Sequence, residues 1–138
     1  MVALCQRNHP LHDAAKQSFV KSSPANSYCA AHSTAEFYSV MTRLPVRPMI
    51  LPEQCLLLMD SLLERMTAVT LTAAEYRTTI QSCAEAGLAG GIVYDALLLA
   101  CARKIRADVL YTFNPKDFLR LAPDWEKRIR APHQQAAD

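Results

Sequence analysis

Among the side chains able to ligate hard cations or accept protons, four stand out by position: Glu36, Asp95, Asn114 and Asp117. Asp95 is the most telling. It lies early in an almost wholly apolar helical stretch within GLAGGIVYDALLLACARKIRADVLYTFNPKDF, Gly87 to Phe118. A lone carboxylate on such a helix is costly to bury unless something cationic meets it. Asn114 follows a β-rich run, Val109 to Phe113, and Glu36 lies near the start of a second helical stretch, HSTAEFYSVMTRL. Ligands of open parallel sheets gather at the carboxyl ends of strands. If those ends meet, Glu36, Asp95 and Asn114 bring two carboxylates and an amide oxygen together. Hard oxygen donors suit Mg²⁺ or Mn²⁺ rather than zinc. Such an ion lowers the pKa of a bound water and steadies charge on a phosphodiester.

Each residue also has a plainer role. An acid in a helix's first turn is favoured by the macrodipole alone, so Glu36 and Asp95 are equally placed to act as caps. Asn114-Pro115 forms turns, and Asp117 is placed to cap a short helix through Leu121. His9 and His12 are spaced i, i+3 with no further ligand to complete a metal set, and are expected at the surface near a helix start. No Ser–His–Asp arrangement has local support, and Gly90-Gly91 is a turn, not a phosphate loop.

The elements that position these groups are readable from the pattern. His9-Pro10 opens a helix to about Lys21, Ser22 to Asn26 is a turn, and Ser27 to Ala31 is a short strand. Ser33 or Thr34 then caps a helix to Leu44, in which Phe37, Val40, Met41 and Leu44 form an apolar face. Pro45 to Pro48 breaks it, and Pro52 begins a helix ending near Met66. Thr67 to Leu71 is β-branched and reads as a strand. Thr72-Ala-Ala-Glu75 is a capping box ahead of a helix ending near Ala86-Gly87. The Asp95 helix and the Val109 to Phe113 strand complete the order. Alternating strands and helices imply a parallel α/β sheet covered on both faces.

The 138 residues, 51% hydrophobic and 20% charged, suffice for one domain with its own core. The longest apolar run, Ala96 to Ala102, cannot span a bilayer, and no signal peptide is visible, so the cytoplasm is the expected compartment. The five cysteines, Cys5, Cys29, Cys55, Cys83 and Cys101, form no C-x-x-C pair. They read as free thiols that pack like small hydrophobes. A net charge of +2 does not establish nucleic-acid binding. The basic residues Arg103, Lys104 and Arg106, and the run Glu126-Lys-Arg-Ile-Arg130, suit either helix-dipole compensation or RNA contact.

In order and spacing, HPLHDAAKQ, AEFYSVMTRLP, the D-A-x-x-x-A helix at Asp95 to Ala100, Thr112-Phe-Asn114 and Lys116-Asp-Phe118 resemble the PIN-domain ribonucleases. Among these they resemble the toxins of VapBC-type toxin–antitoxin pairs. The resemblance implies a three-layer α/β/α PIN-like domain over residues 1–122, with 123–138 a basic C-terminal tail. It makes Glu36 and Asp95 the second and third acids of a metal site and places Asn114 where many relatives carry aspartate. Asp117 or Thr112 would contribute from the same loop, around Mg²⁺ or Mn²⁺. It further implies RNA as substrate, a homodimer and an antitoxin partner. Relatives open with a central strand ending in an aspartate. Met1-Val-Ala-Leu-Cys5 resembles the residues just after it, so that strand and the first metal acid are expected to be missing. A degenerate, inactive PIN module that binds antitoxin or RNA is the alternative. An unrelated α/β hydrolase or phosphatase lacks its nucleophile motif.

Overall fold

The computed structural model describes residues 1–132. Two compact units divide the chain, Met1–Ala68 and the residues from Val69 onward.

In the first unit α1 (Val2–Cys5) and α2 (His12–Phe19) precede β1 (Tyr28–Ala30), α3 (His32–Met41) and α4 (Pro52–Leu63). The helix α2 begins at His12, later than the His9-Pro10 start expected from sequence. His9 is spent on the preceding turn, where its Nδ1 accepts from the Leu11 amide at 3.1 Å. His12 is not a free surface residue either, because its Nδ1–H donates to the Ala3 carbonyl at 2.9 Å and ties α2 to α1. The expected cap of α3 is also displaced. The helix starts at His32 with no side-chain cap, and the Thr34 hydroxyl donates to the Ala31 carbonyl at 2.7 Å.

Of the apolar face expected on α3, Phe37 and Met41 are buried with Cys55 and Leu62 of α4, whereas Val40 is exposed. Arg65 then fastens the end of α4 to the chain after α2. Its Nη2 donates to the carbonyls of Val20 at 2.7 Å and Ser22 at 3.1 Å, and its guanidinium lies 5.5 Å over the Phe19 ring. Strand β2 (Thr67–Val69) pairs with β1.

In the second unit, α5 (Ala73–Glu85) and α6 (Ile92–Lys104) pack together, followed by β3 (Leu110–Tyr111), α7 (Pro115–Leu121), a 3₁₀ turn at Pro123–Trp125 and β4 (Ile129–Arg130). The Thr72–Glu75 capping box forms as read: Thr72 Oγ1 accepts the Glu75 amide, and Glu75 accepts the Thr72 amide. At the other end of α5 Gly87 takes φ +65°, and the amides of Leu88 and Gly87 bond back to Cys83 and Ala84. That is a Schellman closure, in which glycine carries no Cβ penalty. Helix α6 ends the same way with Arg106 at φ 54° and Ala107 N–H bonded to the Ala102 carbonyl.

The expected parallel pairing is present in β3 and β4, in register Leu110↔Ile129 and Tyr111↔Arg130. The strands, however, form two two-stranded sheets where one sheet was expected. Both β-runs end earlier than expected, at Val69 and Tyr111, and side-chain contacts lie just beyond each end. The Thr70 carbonyl accepts Lys104 Nζ at 3.0 Å, and the Thr112 hydroxyl accepts the Asn114 amide at 3.0 Å.

Residues 123–132 of the expected tail are folded. Trp125 and Ile129 join Leu99, Ala102, Leu110, Phe118 and Ala122 in the core of this unit. The guanidinium groups of Arg103 and Arg128 lie 5.5 Å and 5.3 Å from the Trp125 ring, and Arg103 also pairs with Asp124 at 2.8 Å. Part of the basic character of this segment therefore belongs to a packed aromatic–guanidinium arrangement. The remainder of the expected tail, 133–138, lies outside the described residues.

Candidate metal centre

Asp95 sits in the first turn of α6, whose N-cap, Gly91, makes no side-chain cap. It is half-buried, and the next residues inward, Ala96, Leu97 and Leu99, are buried. The helix is thus anchored by its apolar body, and the carboxylate is held at its positive end.

Asn114 is the N-cap of α7 and Asp117 its third residue. The Asn114 side-chain amide donates to Asp117 Oδ2. Its backbone N–H is already taken by Thr112, so Asp117 meets the side chain rather than the backbone, a variant of the capping-box relation. The capping role anticipated for Asp117 is not made: α7 has no side-chain cap, and Asp117 bonds the Asn114 side chain instead of a backbone amide. The same contact commits the amide nitrogen of Asn114 to Asp117. The amide oxygen of Asn114 and the second carboxylate oxygen of Asp117 are both hard donors.

Glu36 belongs to the first unit. It is exposed on α3, and because that helix starts at His32 it stands in the second turn, not the first. A plain dipole role, strongest in the first turn, explains Glu36 less well than it does Asp95.

The donors fit a divalent cation in kind, being carboxylate and amide oxygens throughout. Among the described residues, no group of three or more His, Cys, Asp or Glu is assembled for a metal. In the second unit the oxygen donors of interest are Asp95, Asn114 and Asp117, one of them uncharged.

Sequence reasoning missed two polar features. Glu75 not only caps α5 but also accepts Lys104 Nζ at 2.8 Å. The Lys104 ammonium and the Thr72 amide together hold its carboxyl down to about 2. The Thr72–Glu75 spacing was a visible signal for the first contact, whereas nothing local marks the second. The other feature is His32, whose Nδ1 and Nε2 are both buried without a hydrogen-bond partner. The cysteines behave as expected: all five are free, and Cys55, Cys83 and Cys101 are buried. Burial pushes the Cys5, Cys29 and Cys55 thiols up.

The family model of the PIN domain matches residues 1–123, and the chain belongs to the PIN-domain family. PIN domains are generally nucleases and typically use divalent metal ions. No curated protein matches the chain. Among the described residues no helix is long and apolar enough to cross a membrane.

Proposed function

We propose that this PIN-domain protein is a metal-dependent endoribonuclease and the toxin of a toxin–antitoxin pair, acting in the cytoplasm. The observation that carries the nuclease reading is the PIN match over residues 1–123, with Asp95 at the head of α6 and the Asn114–Asp117 pair at the head of α7. Asp95, Asn114 and Asp117 would hold Mg²⁺ or Mn²⁺, and the family resemblance gives Glu36 the same task. When bound, the ion supplies an activated water and neutralises charge on the phosphate. Asp95 stands at the positive end of α6, where a carboxylate is favoured. Asp117 orients Asn114 through its amide, and α7 fixes both backbones. The toxin assignment, the homodimer and the antitoxin partner rest on the resemblance in the helix motifs and the Thr112-Phe-Asn114 ending.

The test is incubation of a single-stranded RNA with the purified chain in Mn²⁺ and in EDTA. Internal cleavage in Mn²⁺ alone is expected; RNA left intact in Mn²⁺ would remove the nuclease assignment. A second reading, an inactive PIN module that binds antitoxin or RNA, is favoured by Asn114 and by the lack of a three-acid cluster among the described residues. Retarded but uncut RNA would select it.

A further inference from the structure

The pair β3–β4 buries one face and exposes the other. Leu110, Ile129 and Ala131 face the core at 4%, 5% and 8% exposure, whereas Val109, Tyr111 and Phe113 stand 41%, 55% and 42% exposed. Side chains alternate across a strand, so Tyr111 of β3 stands on the outer face, and Val109 and Phe113 are exposed two residues to either side of it. The register pairs Tyr111 with Arg130, which puts Arg130 beside Tyr111 on that face. Arg130 Nη1 donates to the carbonyls of Glu126 and Ile129 at 3.2 Å and 2.9 Å. Neither acceptor is ionised, so the guanidinium is steadied while its charge stays uncompensated by them. None of Val109, Tyr111, Phe113 and Arg130 is acidic.

Two exposed aromatic rings at i, i+2 beside a braced guanidinium are the elements of a stacking platform for unpaired bases, with the cation placed for the phosphate backbone. A duplex hides its base faces and cannot use such rings. We propose that the outer face of β3–β4 binds single-stranded RNA, Tyr111 and Phe113 stacking on bases and Arg130 contacting phosphate. This rests on the ribonuclease reading for its occupant and adds the surface that would seat the strand.

The test uses the full chain in EDTA, where no cutting occurs, with a fluorescein-labelled twelve-nucleotide oligouridine RNA read by anisotropy. Tyr111→Ala and Phe113→Ala are each expected to weaken binding roughly 5- to 150-fold, and Tyr111→Phe, which keeps the ring, to bind as the parent does. Arg130→Gln should reduce the slope of log affinity against log salt by about 0.7. Circular dichroism spectra matching the parent's confirm that the variants are folded. Parent-like binding by both alanine variants, or equal binding of an RNA duplex, would overturn the proposal. So would loss of a dimer in Tyr111→Ala with RNA affinity intact, which would assign the face to a second copy of the chain. Failure of the nuclease reading looks different: the parent binds the oligonucleotide but leaves it uncut in Mn²⁺.

Discussion

The side-chain amide of Asn114 donates to the carboxylate of Asp117 across the first turn of α7. One uncharged partner lets these two groups touch without an ion between them. Replacing Asn114 by Asp would set two carboxylates against each other. Asn114→Asp is expected to lose about 0.5–1 kcal/mol of stability in EDTA and to regain it in Mn²⁺, with tighter Mn²⁺ binding than the parent. Urea unfolding in the two buffers measures this. Equal stability in EDTA, or no added response to Mn²⁺, would show that the pair is not a ligand pair.

Glu75 joins the start of α5 to Lys104 at the end of α6. Its carboxyl is held down to about 2 in the folded chain, against 4.5 for an unperturbed group. A carboxylate with a depressed folded pKa stabilises above its unfolded pKa, and that contribution disappears as pH falls through the folded value. The stability gap between the parent and Glu75→Gln is expected to be constant above pH 5 and to shrink steadily between about pH 4.5 and 2. A gap that persists at pH 2 would mean that the ionised form of Glu75 is not what matters.

Trp125 packs in the core of the second unit beneath two guanidinium groups. Trp125→Ala is expected to cost about 3–5 kcal/mol by urea denaturation, the loss typical of emptying a buried aromatic site. If residues from 123 onward were a loose tail, the variant would unfold at the parent's midpoint.

His32 has two buried ring nitrogens and no partner for either. Unpaired buried polar atoms cost about 1–3 kcal/mol, and an apolar side chain of similar size removes that cost. His32→Leu is therefore expected to raise the melting temperature. A fall would show that the ring nitrogens are satisfied in solution by a group that binds there.

Local chemistry was legible in the sequence. The Thr72–Glu75 box and the Gly87 closure need only neighbours in the chain, and both formed as read. The burial of Phe37 and Met41 was also readable from periodicity. What escaped depends either on partners distant in sequence or on local polar contacts that compete with a usual cap. Ser33 and Thr34 look like caps, yet the helix starts one residue before Ser33. Trp125 and Ile129 sit among Asp124, Glu126, Lys127 and Arg128, so their segment reads as a charged tail until the core claims both. Asp95 was conspicuous because its helix is so apolar, whereas the Asn114–Asp117 contact depends on Thr112 occupying the backbone amide that a usual capping box would use.

The most direct measurement compares Mn²⁺-dependent cleavage of an end-labelled single-stranded RNA by the parent chain and by Asp95→Asn. Parent cleavage that disappears in the variant, with both proteins folded by circular dichroism, is the expected result. Equal cleavage by the two would contradict the assignment of Asp95 to the metal centre, and with it the proposed active site.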